Sequence, residues 1–267
     1  MNSEAPGSNE AGDEIQDKEM PLLEHLAELR KRLMWSVGTF LVVFIVCYHF
    51  AAVLYEFLAD PLAHAMKLRG EKPELIYTAL FEAFFTYVKV AAFAAAFISF
   101  PVVAGQLWLF VAPGLYKKEK RALLPFLVAT PILFFAGGAI AYYIFFPVLF
   151  KFNLAFQNTV PGSDVQIVLM PKVSDYLSTT MKVIFAFGLS FELPVLLTLL
   201  GKVGIVSSKG LKKYRRYAYV GCFIVAAVLA PPDVMSQCLM AMMLLLLFEN
   251  SLFVVRLVEP KREPIDA

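Results

Sequence analysis

Polar and apolar positions along this chain segregate on the scale of whole membrane crossings. Apolar runs cover residues 34–54, 81–112, 122–150, 176–200, 217–230 and 237–252, and clusters of charge separate them. A helix needs about 20 such residues to cross a hydrocarbon core roughly 30 Å thick. The pattern therefore predicts an all-α fold, a polytopic bundle of six transmembrane helices. The second, third and fourth runs are long enough to tilt. The last two, of 14 and 16 residues, reach only about 21 to 24 Å, which predicts a locally thinned bilayer or shielding by neighbours. Pro101, Pro131 and Pro194 fall inside runs; each removes a backbone donor, so kinks are expected there.

Charge placement orients the spans. Residues 1–33, 113–121, 201–216 and 253–267 carry 17 Lys and Arg, against 5 in 55–80, 151–175 and 231–236. The positive-inside rule puts the basic segments, and with them both termini, in the cytoplasm. Residues 1–20 are acidic, bear Gly, Ser and Asn, and have neither a basic nor an apolar leader region; they read as a disordered cytoplasmic tail. The membrane domain is then 21–258, with a short tail over 259–267.

Composition agrees with this and narrows the chemistry. The 267 residues are 59% hydrophobic and 17% charged, with a mean hydropathy of +0.67. A net charge of +2 is too small to suggest nucleic acid. Cys47, Cys222 and Cys238 form no CxxC and read as buried thiols. His25, His49 and His64 are dispersed, and HExxH, GxSxG and P-loop patterns are absent from the sequence, so neither a cofactor nor an enzymatic role is expected. No repeat of about 20 to 50 residues is evident.

Four segments carry more than hydrophobicity. In PLLEHLAELRKRL, over 21–33, Leu22, Leu26, Leu29 and Leu33 form one helical stripe, with Glu24, Glu28 and Lys31 opposite it. This predicts an interfacial helix leading into the first span, with Lys31 and Arg32 as neighbours of Glu28. In GQLWLFVAPGLYKKEKR, Glu119 is a lone carboxylate among Lys117, Lys118, Lys120 and Arg121. It is either compensated locally or held for a cationic ligand. Glu192, in SFELPVLLTLL, is an acid inside an apolar span; an ionised carboxylate there costs about 2.5–3.5 kcal/mol, so it should face a cavity or a partner rather than lipid. Lys89 and Lys182 also lie within spans and are long enough to snorkel, and Gln237 offers an interhelical bond of about 1 kcal/mol. By themselves, these intramembrane ionisable groups fit a proton- or ion-coupled solute transporter.

HLAELRKRL, PVVAGQLWLFVAPGLYKKEKR, FGLSFELPV and PPDVMSQ occur in that order along the chain, which resembles the TatC family of twin-arginine protein translocases from about Pro21 to Val258. The resemblance implies a glove-shaped six-helix receptor in the cell inner membrane. It would bind twin-arginine signal peptides of folded proteins at its cytoplasmic face, self-associate in a receptor complex, and work with the single-span proteins TatB and TatA under the proton-motive force. Carried onto this chain, the signal-peptide site falls on Glu28 and Glu119, flanked by Arg30, Phe110 and Tyr116. The intramembrane polar residue is Glu192, and the outer-loop proline is Pro61. The contact region for TatA and TatB falls on Val228, Ala230, Pro231, Asp233 and Gln237. The chain departs from the family pattern at Ala230, where Thr is usual, and at Met243, where Pro is frequent.

Overall fold

The computed structural model describes residues 10–70, 72–111, 120–155, 170–230 and 233–258. Its elements are helical: α1 (Glu10–His49), α2 (Ala51–Lys67), α3 (Glu82–Val111), α4 (Lys120–Ile140), a π-helical turn (Ala141–Phe145), α5 (Phe146–Leu154), α6 (Val173–Lys202), α7 (Ser208–Lys213), α8 (Arg215–Leu229) and α9 (Val234–Val258). Among the described residues, a parallel bridge between Ile76 and Lys172 joins two of the connecting segments.

Among the described residues, five helical stretches are long and apolar enough to cross a membrane: His25–His49, Glu82–Phe110, Pro125–Leu154, Val173–Lys202 and Val234–Val258. The fifth expected span is present as α8, but its 15 residues give only about 22 Å of helix. The sixth is corrected: α9 has 25 residues, or about 37 Å, and is not short. The helix runs past both ends of the apolar run, and the polar groups near its C-terminal end find partners. Glu249 accepts from Arg215 and Tyr219 of α8, and the Ser251 hydroxyl donates within α9 to Leu247 O at 2.6 Å.

The first span also differs from expectation. Residues 21–33 are helical and run into the first span as one continuous helix, α1, which extends back to Glu10; once a helix has nucleated, each added residue is cheap to propagate. Residues 10–20, expected as disordered tail, lie within it. Residues 55–67, expected as outer loop, belong to α2, with Leu58, Leu62, Ala65 and Met66 buried along one face. That spacing is a helical stripe. Pro61 therefore sits in a helix and is itself buried. Its missing N–H frees the carbonyl of Phe57 four residues back, and the Tyr142 hydroxyl donates to that carbonyl at 2.8 Å. Tyr176 does the same for Leu58 O at 2.9 Å.

α6 is the centre of the bundle. Over half of its apolar window (56%) is buried, against 6% for α1. It runs antiparallel to α4 and parallel to α9, while α1 lies antiparallel along α3 and α8 along α9. Small residues set the closest crossing: a Cβ on Gly188 would meet the Phe134 ring at 2.7 Å, and one on Gly137 would meet Phe187 O at 2.6 Å. Because lipid tails are as apolar as side chains, such close packing is what holds membrane helices together. The cysteines differ in burial: Cys47 is buried, Cys222 half-buried and Cys238 exposed. Cys238 therefore corrects the expectation of three buried thiols; it lies on the open face of α9.

Candidate functional site

The antiparallel pairing of α1 with α3 gathers several expected recognition residues at the end of the bundle rich in Lys and Arg. His25 of α1 stacks on Phe110 of α3, with ring centroids 4.3 Å apart and planes at 19°. One to two turns along, Arg32 reaches across to Gln106 Oε1 at 3.4 Å. Glu28 lies between these contacts in sequence, and its Oε1 accepts from Arg32 Nε at 2.9 Å as well as from Nη2. Its carboxylate is thus locally compensated by the residue one turn on. The pair remains partly open, with side-chain exposures of 21% for Arg32 and 33% for Glu28. Arg30, two residues on, is exposed on the other side of α1, where it lines a groove with Ala27, Lys31 and Met34. Glu119 and Tyr116 lie outside the described residues. Glu28 and Phe110 are brought to the same α1–α3 contact, and Arg30 is not; Arg32, Gln106 and His25 belong to that cluster and were not singled out as site residues. A polar and an aromatic side chain four apart on one face of α3, Gln106 and Phe110, were the available signal.

Glu192 sits about 15 Å from the end of α6, on the side facing α4. Its Oε1 is fully shielded and has no hydrogen-bond partner among the described residues. The buried Thr130 hydroxyl faces this carboxyl and also accepts from Trp108 Nε1 at 3.1 Å. Three helices thus meet at one polar point, α3 through Trp108, α4 through Thr130 and α6 through Glu192. Lipid exposure of Oε1 is excluded by this packing. A buried oxygen without a donor is costly, and such groups are retained where they serve a site.

At the opposite end, the expected partner region is divided by structural duties. Val228 is 78% exposed, and Ala230 ends α8 in an extended conformation. Pro231 lies outside the described residues. Asp233 caps α9, accepting from Ser236 N at 2.7 Å and Ser236 Oγ at 2.6 Å, which satisfies donors at the helix start. Gln237 follows in the first turn, half-buried.

Two polar clusters escaped the sequence reading. Glu82 is buried and receives Thr78 N at 2.9 Å, Ala79 N at 3.2 Å and Ser174 N at 3.1 Å, with Lys172 Nζ at 3.9 Å. It staples the start of α3 to the start of α6; an acid in the first turn of a span was its signal. Glu249 of α9 accepts from Arg215 Nε at 2.6 Å and from the Tyr219 hydroxyl at 2.5 Å, holding α8 to α9. Its signal was an acid late in an apolar run.

Among the described residues, no group of three or more His, Cys, Asp or Glu is placed to hold a metal ion. A family model described as Sec-independent protein translocase protein (TatC) matches residues 24–242. A protein of that name from Magnetococcus marinus is 48% identical over 94% of this chain and 89% of its own. One from Rickettsia prowazekii is 40% identical over 90% of this chain and 94% of its own. A crystal structure described as the twin-arginine translocase receptor TatC superposes with a TM-score of 0.75 at 36% identity, covering 88% of this chain and 99% of that one.

Proposed function

The chain belongs to the TatC family of Sec-independent protein translocase proteins, and from that premise we propose that it is the signal-peptide receptor of a twin-arginine translocase. It is a multi-pass membrane protein and a translocase component rather than an enzyme. In the proposed topology α8 completes a set of six spans, both termini are cytoplasmic, and the membrane is the cell inner membrane.

The observation that supports the reading is the packing of α1 on α3, in which His25 stacks on Phe110 and Arg32, paired with Glu28, reaches Gln106; Arg30, on the other side of α1, would meet the peptide from that side. A guanidinium presents planar donors that a carboxylate meets with two parallel bonds. In the free protein Arg32 donates through Nε and Nη2 to one oxygen of Glu28, Oε1. A signal peptide's arginine would exchange with it, and Glu119 would take the second arginine. Glu192, deeper in the bundle, would meet the apolar part of the peptide. Single-span partners of the TatA and TatB type would dock along the exposed face near Val228, Ala230, Pro231 and Gln237, with Asp233 holding the start of α9. Translocation would draw on the proton-motive force.

The test is binding of a twin-arginine signal peptide to the full chain in proteoliposomes, with a twin-lysine peptide as competitor. Preferential binding of the arginine peptide is expected. Equal binding of the two would overturn the assignment, and co-purification without any single-span protein would overturn the partner edge.

A further inference from the structure

A groove of about 880 Å³ opens between α3, α6, α8 and α9, at the end of the bundle opposite the Glu28 patch. Its lining includes two cations, Lys89 and Lys182, and no acidic residue. Both lysines are exposed, and neither has an acidic partner among the described residues. Lys89 is seven residues into α3 and Lys182 nine into α6, so their Cα atoms lie about 10 and 14 Å below the helix starts. Two like charges lining one apolar groove repel each other, and an anion lodged in the groove would relieve both.

The groove is also graded along its length. On α6, Ser178 and Lys182 stand toward the nearer helix end, while Phe185, Leu189 and Leu193 continue toward the membrane middle. The hydroxyl deeper in the wall, Ser190, is turned back to Ala186 O at 2.6 Å, which leaves the lower part apolar. An occupant must therefore carry negative charge at one end and hydrocarbon at the other, with the charged end toward the nearer membrane surface. That is the polarity and orientation of a leaflet phospholipid.

We propose that this groove is a binding site for one anionic phospholipid, with its phosphate between Lys89 and Lys182 and an acyl chain along Phe185, Leu189 and Leu193. The proposal rests on the orientation above only in assigning the lipid to the outer leaflet. Loop labelling tests that orientation separately, and lipid binding itself is independent of it. Because α8 forms one wall through Val225, Val228 and Leu229, the bound lipid would also fill the space beside this short helix.

The experiment uses the full chain purified in mild detergent and in nanodiscs, with bound lipid counted by native mass spectrometry. Phosphatidylglycerol should be retained over phosphatidylcholine, and a photoactivatable acyl chain should label α6 around Leu189. Lys89→Gln with Lys182→Gln should lower phosphatidylglycerol retention about tenfold or more. The double Arg variant should keep it, and Lys209→Gln, on α7, should not change it. Soluble glycerol phosphate in excess should not displace the lipid; displacement would make this a free-phosphate site and overturn the proposal. Equal retention of the two lipids, or unchanged retention in the double Gln variant, would also overturn it. So would a co-purifying polypeptide whose loss follows the Gln substitutions. Should the double Gln chain fail to fold, the lipid comparison and the photolabelling on the parent chain decide alone.

Discussion

Replacing Glu28 by Gln separates recognition from stability, because the two effects differ in size. In the folded chain Glu28 makes one partly open pair with Arg32, one turn away. Pairs at this helical spacing contribute about 0.3–0.5 kcal/mol, so the substitution should leave insertion and thermal unfolding almost unchanged. As an acceptor for a peptide arginine, the same carboxylate would contribute about 1.5–3 kcal/mol. Its loss should weaken binding about tenfold to a hundredfold. Arg32→Gln supplies the opposite control. It frees Glu28 from its resident partner, so binding should tighten by about twofold, the equivalent of the pair energy. The assay is photocrosslinking of a twin-arginine signal peptide to membranes with matched amounts of each variant, titrated in peptide concentration. If Glu28→Gln binds as the parent does, Glu28 serves only to neutralise Arg32 and the recognition role is refuted.

Tyr142→Phe should destabilise the protein by about 1–3 kcal/mol by stranding the Phe57 carbonyl, and should cost less in a Pro61→Ala background, where the N–H is restored. Equal cost in both backgrounds, read by thermal unfolding in detergent, would refute the link. Gly188→Leu drives a side chain into the buried Phe134 ring and should cost about 1–3 kcal/mol through overpacking; an unchanged melting temperature would show that the crossing has slack. Glu192→Leu should insert at normal levels, since a buried acid is removed, yet slow export of a twin-arginine substrate. Export at the parent rate would reduce Glu192 to a tolerated residue. In a chain lacking Cys47, Cys222 and Cys238, single cysteines over 201–216 should react only with membrane-permeant reagent, and those over 68–75 with impermeant reagent too. Impermeant labelling of the 201–216 loop would reverse the orientation.

Some of this was available before any coordinates. Apolar runs and the bias of Lys and Arg are properties of composition along the chain, and the bilayer reads them one segment at a time. Five of the six expected spans correspond to helices that are, among the described residues, long and apolar enough to cross, and one of them, α9, is longer than its apolar run. The oddity of Glu192 was equally plain, since a charge in an apolar run is costly whatever surrounds it. Tertiary structure decided what depends on meeting another segment. Glu28 could pair with Arg32 or wait for a ligand, and only the helical continuity of α1 against Gln106 and Phe110 selects the pair. Pro61 was placed in an outer loop by the resemblance, whereas the Tyr142 hydroxyl that takes up the carbonyl it frees comes from 85 residues away. The extent of α9 depended on Asp233 and Glu249 finding partners. The two lysines read singly as snorkelling side chains come to line one groove only when α3 and α6 pack together. A sequence states which groups are costly to bury; the fold determines which of them find one another.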